Sequence, residues 1–170
     1  MEENEIKIGD QTWTSKNLDV ETYRNGDAIP QVEVQEEWAN LTTGAWCYYE
    51  NESDNGTTYG KLYNWFAVND PRGLAPKGYH IPTDAEWTIL TDKLGYKAGT
   101  KMKNTFAMLP GGHCVYDGRF GFIGSFGYWW SSSEFDANRA WNRNLNNDNG
   151  DVNRHHPNKQ NGFSVRCLRD

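Results

Sequence analysis

The 8 Trp, 9 Tyr and 7 Phe constrain this chain more than any other feature. A mean hydropathy of −0.88 is common in chains too polar to fold, yet such chains avoid aromatic residues. Each buried aromatic removes about 150–250 Å² from water, so these side chains can build a core with few aliphatics. The 17 Gly fit a backbone with many irregular turns. The expected product is one loop-rich domain spanning the 170 residues, with an aromatic interior and a very polar surface.

Charge and hydropathy remove several classes. With 17 Lys+Arg against 23 Asp+Glu, the net charge is −6, and no basic block provides a footprint for nucleic acid. No apolar run reaches the roughly 18–20 residues needed for membrane insertion. Met1-Glu2-Glu3-Asn4-Glu5 does not read as a secretory signal. Three cysteines, Cys47, Cys114 and Cys167, allow at most one internal disulfide, and no Cys/His spacing suggests zinc. No cofactor is implied.

Local patterns outline an α+β domain. Ile6 to Ile8 and Thr12 to Thr14 flank a Gly9-Asp10 turn and read as a hairpin. Residues 24–44 read as loop, with Glu33, Glu36 and Glu37 solvated. Trp46 to Tyr49 reads as a short strand, and residues 50–58 as a polar loop. Tyr59, Leu62, Tyr63, Phe66 and Ala67 have the spacing of one helix face, so a helix is expected over 59–68. Thr83 and Glu86 form an S/T-x-x-E capping box opening a second helix, with Trp87, Leu90 and Leu94 inward and Gly95 ending it. Here Asp84 and Glu86 read as helix punctuation. From Leu109 onward, short aromatic runs separated by Gly-rich turns predict strands.

Asparagine is concentrated late in the chain. Residues 1–133 hold nine, and the 28 residues 134–161 hold another nine. Over 140–146, Asn142, Asn144 and Asn146 alternate with Trp141, Arg143 and Leu145. That pattern predicts one face held to the body and another presenting amides to water. Asp151 to His156 repeats it with Val152 inward, and Gly162 to Leu168 reads as a last strand with Phe163, Val165 and Cys167 on one face. Three readings fit these amides. They form polar turns, they coordinate a divalent cation through oxygens, or they are adaptable hydrogen-bonding contacts of a ligand surface. Asp148 and Asp151 are the only carboxylates between 137 and 169, which weakens the cation reading. The ligand surface comprises Asn138, Arg139, Asn142, Asn144, Asn146, Asn147, Asn149, Asp151, Asn153, His155, His156, Asn158 and Asn161.

Ordered motifs run through nearly the whole chain: Ile8-Gly9-Asp10-Gln11-Thr12-Trp13, Gly44-Ala45-Trp46-Cys47, Tyr59-Gly60-Lys61-Leu62-Tyr63-Asn64-Trp65, Gly78-Tyr79-His80-Ile81-Pro82-Thr83-Asp84-Ala85-Glu86-Trp87, Leu109-Pro110-Gly111-Gly112, Gly127-Tyr128-Trp129-Trp130-Ser131-Ser132 and Gly162-Phe163-Ser164-Val165-Arg166-Cys167. Together they resemble the Fibrobacter succinogenes major paralogous domain. The resemblance implies a C-type lectin-like fold of the formylglycine-generating-enzyme branch, with two helices on a twisted, mainly antiparallel sheet. Two departures stand out. Ala75 occupies a place where the family usually has cysteine, leaving Cys47 without its family partner, and the stretch from Lys101 to Leu109 is short.

The C-terminal segment also resembles the variable region of target proteins of diversity-generating retroelements, in which adenines of Asn codons are replaced and the residue scatters into Tyr, His, Asp or Ser. The implied function is non-catalytic display: an exposed surface, diversified by a retroelement, that contacts a protein or glycan on a cell or virion. The chain would be surface-bound, secreted or virion-associated. A structural module of a surface or tail assembly is the alternative. A formylglycine-generating-type enzyme fits less well, because Cys167 has no second C-terminal thiol beside it and His80, His113, His155 and His156 lack a triad setting.

Overall fold

Strand β8 (Phe126–Glu134) is the wall around which the molecule is organised. Its neighbours Trp129 and Trp130, both fully buried, point to opposite faces, as successive strand residues must. Trp129 enters a cluster with Trp13, Trp87, Leu90, Phe106 and Leu145. Trp130 enters another with Tyr63, Trp65, Phe163 and Val165. A third cluster gathers Trp38, Cys47, Leu62 and Cys114. Buried indoles must still place their N–H: Trp46 donates to Ile29 O, Trp65 to Ser131 O and Trp130 to Tyr63 O, each at 2.9 Å. The aromatic interior expected from composition is therefore the observed core.

The computed structural model describes residues 5–170; the acidic start, residues 1–4, lies outside them. In chain order the elements are β1 (Glu5–Ile8), β2 (Gln11–Thr14), α1 (Gln35–Ala39), β3 (Trp46–Cys47), α2 (Ser53–Tyr59), β4 (Leu62–Tyr63), α3 (Trp65–Val68), β5 (Tyr79–His80), α4 (Asp84–Leu94), α5 (Ala98–Phe106), β6 (Gly111–Cys114), β7 (Phe120–Ile123), β8, β9 (Ala140–Asn146), β10 (Val152–His155) and β11 (Leu168–Arg169). They form a five-stranded sheet in the order β10-β9-β8-β6-β7, a four-stranded sheet β1-β2-β11-β5, and the pair β3-β4. Pairing between these strands is antiparallel except where β6 meets β8 at Gly112 and Gly127; Trp129 of β8 and Trp46 of β3 also form single parallel bridges, to Ser164 and Gln31. At Gly112 (φ +67°) an added Cβ would lie 2.6 Å from Gly121 O, so only glycine suits this crowded join. The architecture is α+β, as expected. Among the described residues no helix is long and apolar enough to cross a membrane.

The hairpin forms as β1 and β2, with Ile6 opposite Trp13. The capping box also forms: Thr83 Oγ1 accepts from Glu86 N at 3.2 Å, and Glu86 Oε2 accepts from Thr83 N at 2.8 Å. The helix expected over 59–68 does not. Gly60 (φ +74°, ψ −163°) ends α2 at Tyr59, and the next residues extend to pair with β3. Asn64 then caps α3, its Oδ1 accepting from Ala67 N. The helical spacing of apolar residues reflected burial from several sides. Two stretches read as loop hold helices, α1 and α2. α5 also lay outside the expectation; its buried Ala98, Met102 and Phe106 fall at i, i+4 and i+8. The last segment is extended but irregular, bridging Tyr63, Cys114 and Trp129 in turn, and both its faces are buried.

Buried Arg166 ties distant pieces together. Its guanidinium donates to Thr14 O, Phe106 O, Ala107 O and Asn17 Oδ1, joining the hairpin to the C-terminal end of α5. Free helix carbonyls carry partial negative charge, so a cation suits this place. Burial still pushes its pKa down to about 10.

Candidate ligand-contact face

Strands β8, β9 and β10 have two unlike faces. On one, Arg143 and Leu145 of β9 pack toward α4 with Trp129 and Val152. Arg143, 3% exposed, donates to Asp84 Oδ1 at 2.6 Å and to Thr88 Oγ1 at 2.9 Å, and half-exposed Arg154 reaches the same carboxylate at 2.7 Å. Asp84 therefore opens α4 and also clamps the sheet to it. Burial raises its pKa, but the two arginines outweigh that and hold the carboxyl below its usual range.

The other face gathers most of the amides. Register places Asn153 opposite Asn144 and His155 opposite Asn142 across β10 and β9. Asn144 faces Tyr128, Asn146 faces Phe126 and Asn142 faces Trp130 across β9 and β8. Paired residues share a face, so Asn142, Asn144, Asn146, Asn153 and His155 form one surface, as the alternation predicts. The exposure differs from the expectation. Asn142 and Asn144 are only 1% and 6% exposed, because they sit mid-sheet between β8 and β10, with large aromatics opposite. Their Oδ1 atoms are buried with no hydrogen-bond partner among the described residues, an arrangement that costs about 1–3 kcal/mol per group. Asn146 and Asn153 are half-buried and His155 is exposed.

An aromatic ladder continues this surface. Tyr128 stacks on Phe163 (ring centroids 5.1 Å apart) and on His113 (4.7 Å). Phe122 meets both His113 (5.5 Å) and Phe126 (5.4 Å) edge-on. Phe122 is 55% exposed and holds a left-handed backbone, φ +68°. Such strain in a non-glycine residue concentrates at functional sites. Burial lowers the His113 pKa, which favours a neutral ring within the stack. The ladder was missed at the sequence level, although Phe126, Tyr128 and Trp130 alternate as clearly as the asparagines do.

The remaining candidate residues lie elsewhere. In the β9–β10 turn, Asn146 Oδ1 accepts from Asp148 N and Asn149 Oδ1 from Asp151 N, so these amides shape the turn. The carbonyls of Asn146, Asn147 and Asn149 surround Lys103 Nζ at 2.8–2.9 Å. Asn158 Oδ1 likewise accepts from Gln160 N. Asn138 and Asn158 sit beside Arg139, whose residue bridges Asn158. His156 stacks on Phe135 at 3.9 Å, and Trp141, expected as a buried anchor, is half-exposed under the Arg154 guanidinium at 3.4 Å. Asn161 is half-buried with an unpartnered Oδ1. Apart from Asn161, the candidate residues thus divide into a sheet face, a turn and an edge cluster.

A separate cleft of about 530 Å³ has Lys16, Asp19, Tyr59 and Arg166 in its wall. Asp19 is tied to Lys61 and Arg166 to the carbonyls described above, and none of the described residues that line the cleft is a cysteine or histidine.

These features define an α+β domain with one amide- and aromatic-lined sheet face and a locked opposite face. The chain matches the model of the Fibrobacter succinogenes major domain over residues 6–169 and belongs to that family. No curated protein matches it.

Proposed function

We propose that this is a non-catalytic display domain of C-type lectin-like type. Its open β8–β9–β10 face contacts a protein or glycan on a cell or virion surface, and retroelement mutagenesis of the Asn codons diversifies that face. The observation that carries the reading is the shared face of half-buried Asn146 and Asn153 and exposed His155, continued by an aromatic ladder that ends on Phe122, 55% exposed. Aromatic faces supply contact area at low entropic cost, and amides supply adaptable hydrogen bonds. A face fixed from behind by Asp84 and Arg143 loses little freedom on binding.

Two tests address it. An imperfect genomic copy of the codons for residues 131–167, differing only at adenines and lying beside a reverse transcriptase gene, would establish diversification; its absence from the locus would remove that part. Second, a face that does not depend on its two buried amides should tolerate their loss: Asn142→Leu and Asn144→Leu should leave Tm unchanged or raise it, because the orphaned acceptors disappear. A fall of more than about 5 °C, some 1–2 kcal/mol at this chain length, would make them structural.

A thiol-dependent oxidase is disfavoured by Cys167 itself. It is 1% exposed, and burial pushes its thiol up to about 12, far from the thiolate such chemistry requires.

A further inference from the structure

Cys47 closes β3 and Cys114 closes β6, 114 − 47 = 67 residues apart in sequence. The two side chains meet in the third hydrophobic cluster, between Trp38, Tyr49 and Leu62. Both are fully buried, at 0% and 1% exposed. Cys114 lies close enough to Cys47 to add to the upward push of burial on its thiol, and its own S–H has Val115 O at 3.6 Å. Cys167 belongs to a different cluster, and so does Ala75, the place of the family cysteine. The fold therefore brings together one pair of thiols, of the three pairings the sequence leaves open.

We propose that Cys47 and Cys114 are a disulfide-forming pair, oxidised as the chain folds in the presence of a disulfide donor. One thiolate attacks the donor disulfide and releases the first donor thiolate. The second cysteine thiolate then attacks the mixed disulfide and releases the other. The two cysteines lose two protons and two electrons, and the donor disulfide becomes two thiols. Burial raises the Cys47 pKa strongly, with Cys114 adding to it, so the folded pair exchanges poorly. The bond forms before the cluster closes and is afterwards shielded from reductants. Cys114 also pairs with Gly162, the neighbour of Phe163 on which Tyr128 stacks. The crosslink thereby braces the strand that carries the aromatic ladder. This inference does not depend on the ligand reading.

The test is to refold the denatured chain either with a reduced and oxidised glutathione mixture or with excess dithiothreitol. After the glutathione refolding, intact mass should fall by two hydrogens. Peptide mapping should link Cys47 to Cys114, and thiol titration in denaturant should find Cys167 alone. A loop of this length should raise Tm by about 5–10 °C over the dithiothreitol sample. Cys167→Ser should keep the mass loss and leave no titratable thiol; Cys47→Ala and Cys114→Ala should each abolish the mass loss whether or not they fold. Three free thiols after the glutathione refolding, or a linkage through Cys167, would overturn the pairing.

Discussion

Replacing Asp84 by Asn is expected to destabilise the protein by about 3–5 kcal/mol, the usual cost of leaving one partner of a buried ion pair uncompensated. The stranded group is Arg143, 3% exposed, whose Nη1 lies 2.6 Å from Asp84 Oδ1. Arg154 adds little, because its side chain is 47% exposed and solvent screens such contacts. At this chain length the loss corresponds to a Tm lowered by about 10 °C or more. The acid limb of the stability curve should change as well. Asp84 has a folded pKa below its unfolded value, because the arginines outweigh burial. Its contribution is complete above the unfolded value of about 3.9 and is lost as pH falls through the folded one. Below about pH 4 the wild type should therefore lose stability more steeply than the Asn variant. Urea titrations of both proteins from pH 7 to pH 2.5 would show it; parallel curves would mean the ion pair contributes nothing.

Trp130→Ala should cost about as much, 3–5 kcal/mol or so, for a different reason. The indole is fully buried, stacks on Phe163 at a centroid distance of 4.4 Å and donates to Tyr63 O at 2.9 Å. Its loss opens a cavity and removes one of two hydrogen bonds to Tyr63 O, which still accepts from Phe163 N at 3.0 Å. Against the roughly 5–15 kcal/mol of a typical domain, that leaves a marginal fold. Trp130→Phe keeps part of the packing and should lie between the two in chemical denaturation. Equal stability of the Ala variant and the wild type would contradict the placement of Trp130 in the core.

What was legible in the sequence was local. The β1–β2 hairpin follows from two short alternating runs about a Gly-Asp turn, and α4 from a capping box whose two bonds both form. Strand β9 was legible in phase: Asn142, Asn144 and Asn146 do share a face. Its exposure was not, because burial of Asn142 depends on β8 and β10 flanking it, which alternation within one strand does not encode. The helix over 59–68 failed on Gly60, whose positive φ turns the chain into β4. Asp84 was legible as helix punctuation, but its grip on Arg143 and Arg154 spans 59 and 70 residues. The Asn excess mixed two uses. Asn146, Asn149 and Asn158 make turns through their own Oδ1, and composition cannot separate these from amides on a sheet face.

The central claim is that one face of the β8–β9–β10 sheet contacts the partner while the fold stands without those side chains. The direct measurement compares wild type with Asn144→Ala/Asn146→Asp/Asn153→Ala/His155→Ala, in which Asp keeps the Oδ1 acceptor that Asp148 N uses in the turn, on a glycan array and on immobilised cell-surface protein. Asn138→Ala/His156→Ala, from the edge cluster, serves as control. The account predicts binding by wild type and control, at least tenfold weaker binding by the quadruple variant, and melting temperatures within about 3 °C of one another, a difference of about 1 kcal/mol. Undiminished binding by the quadruple variant, or no binding by wild type on either surface, would contradict it.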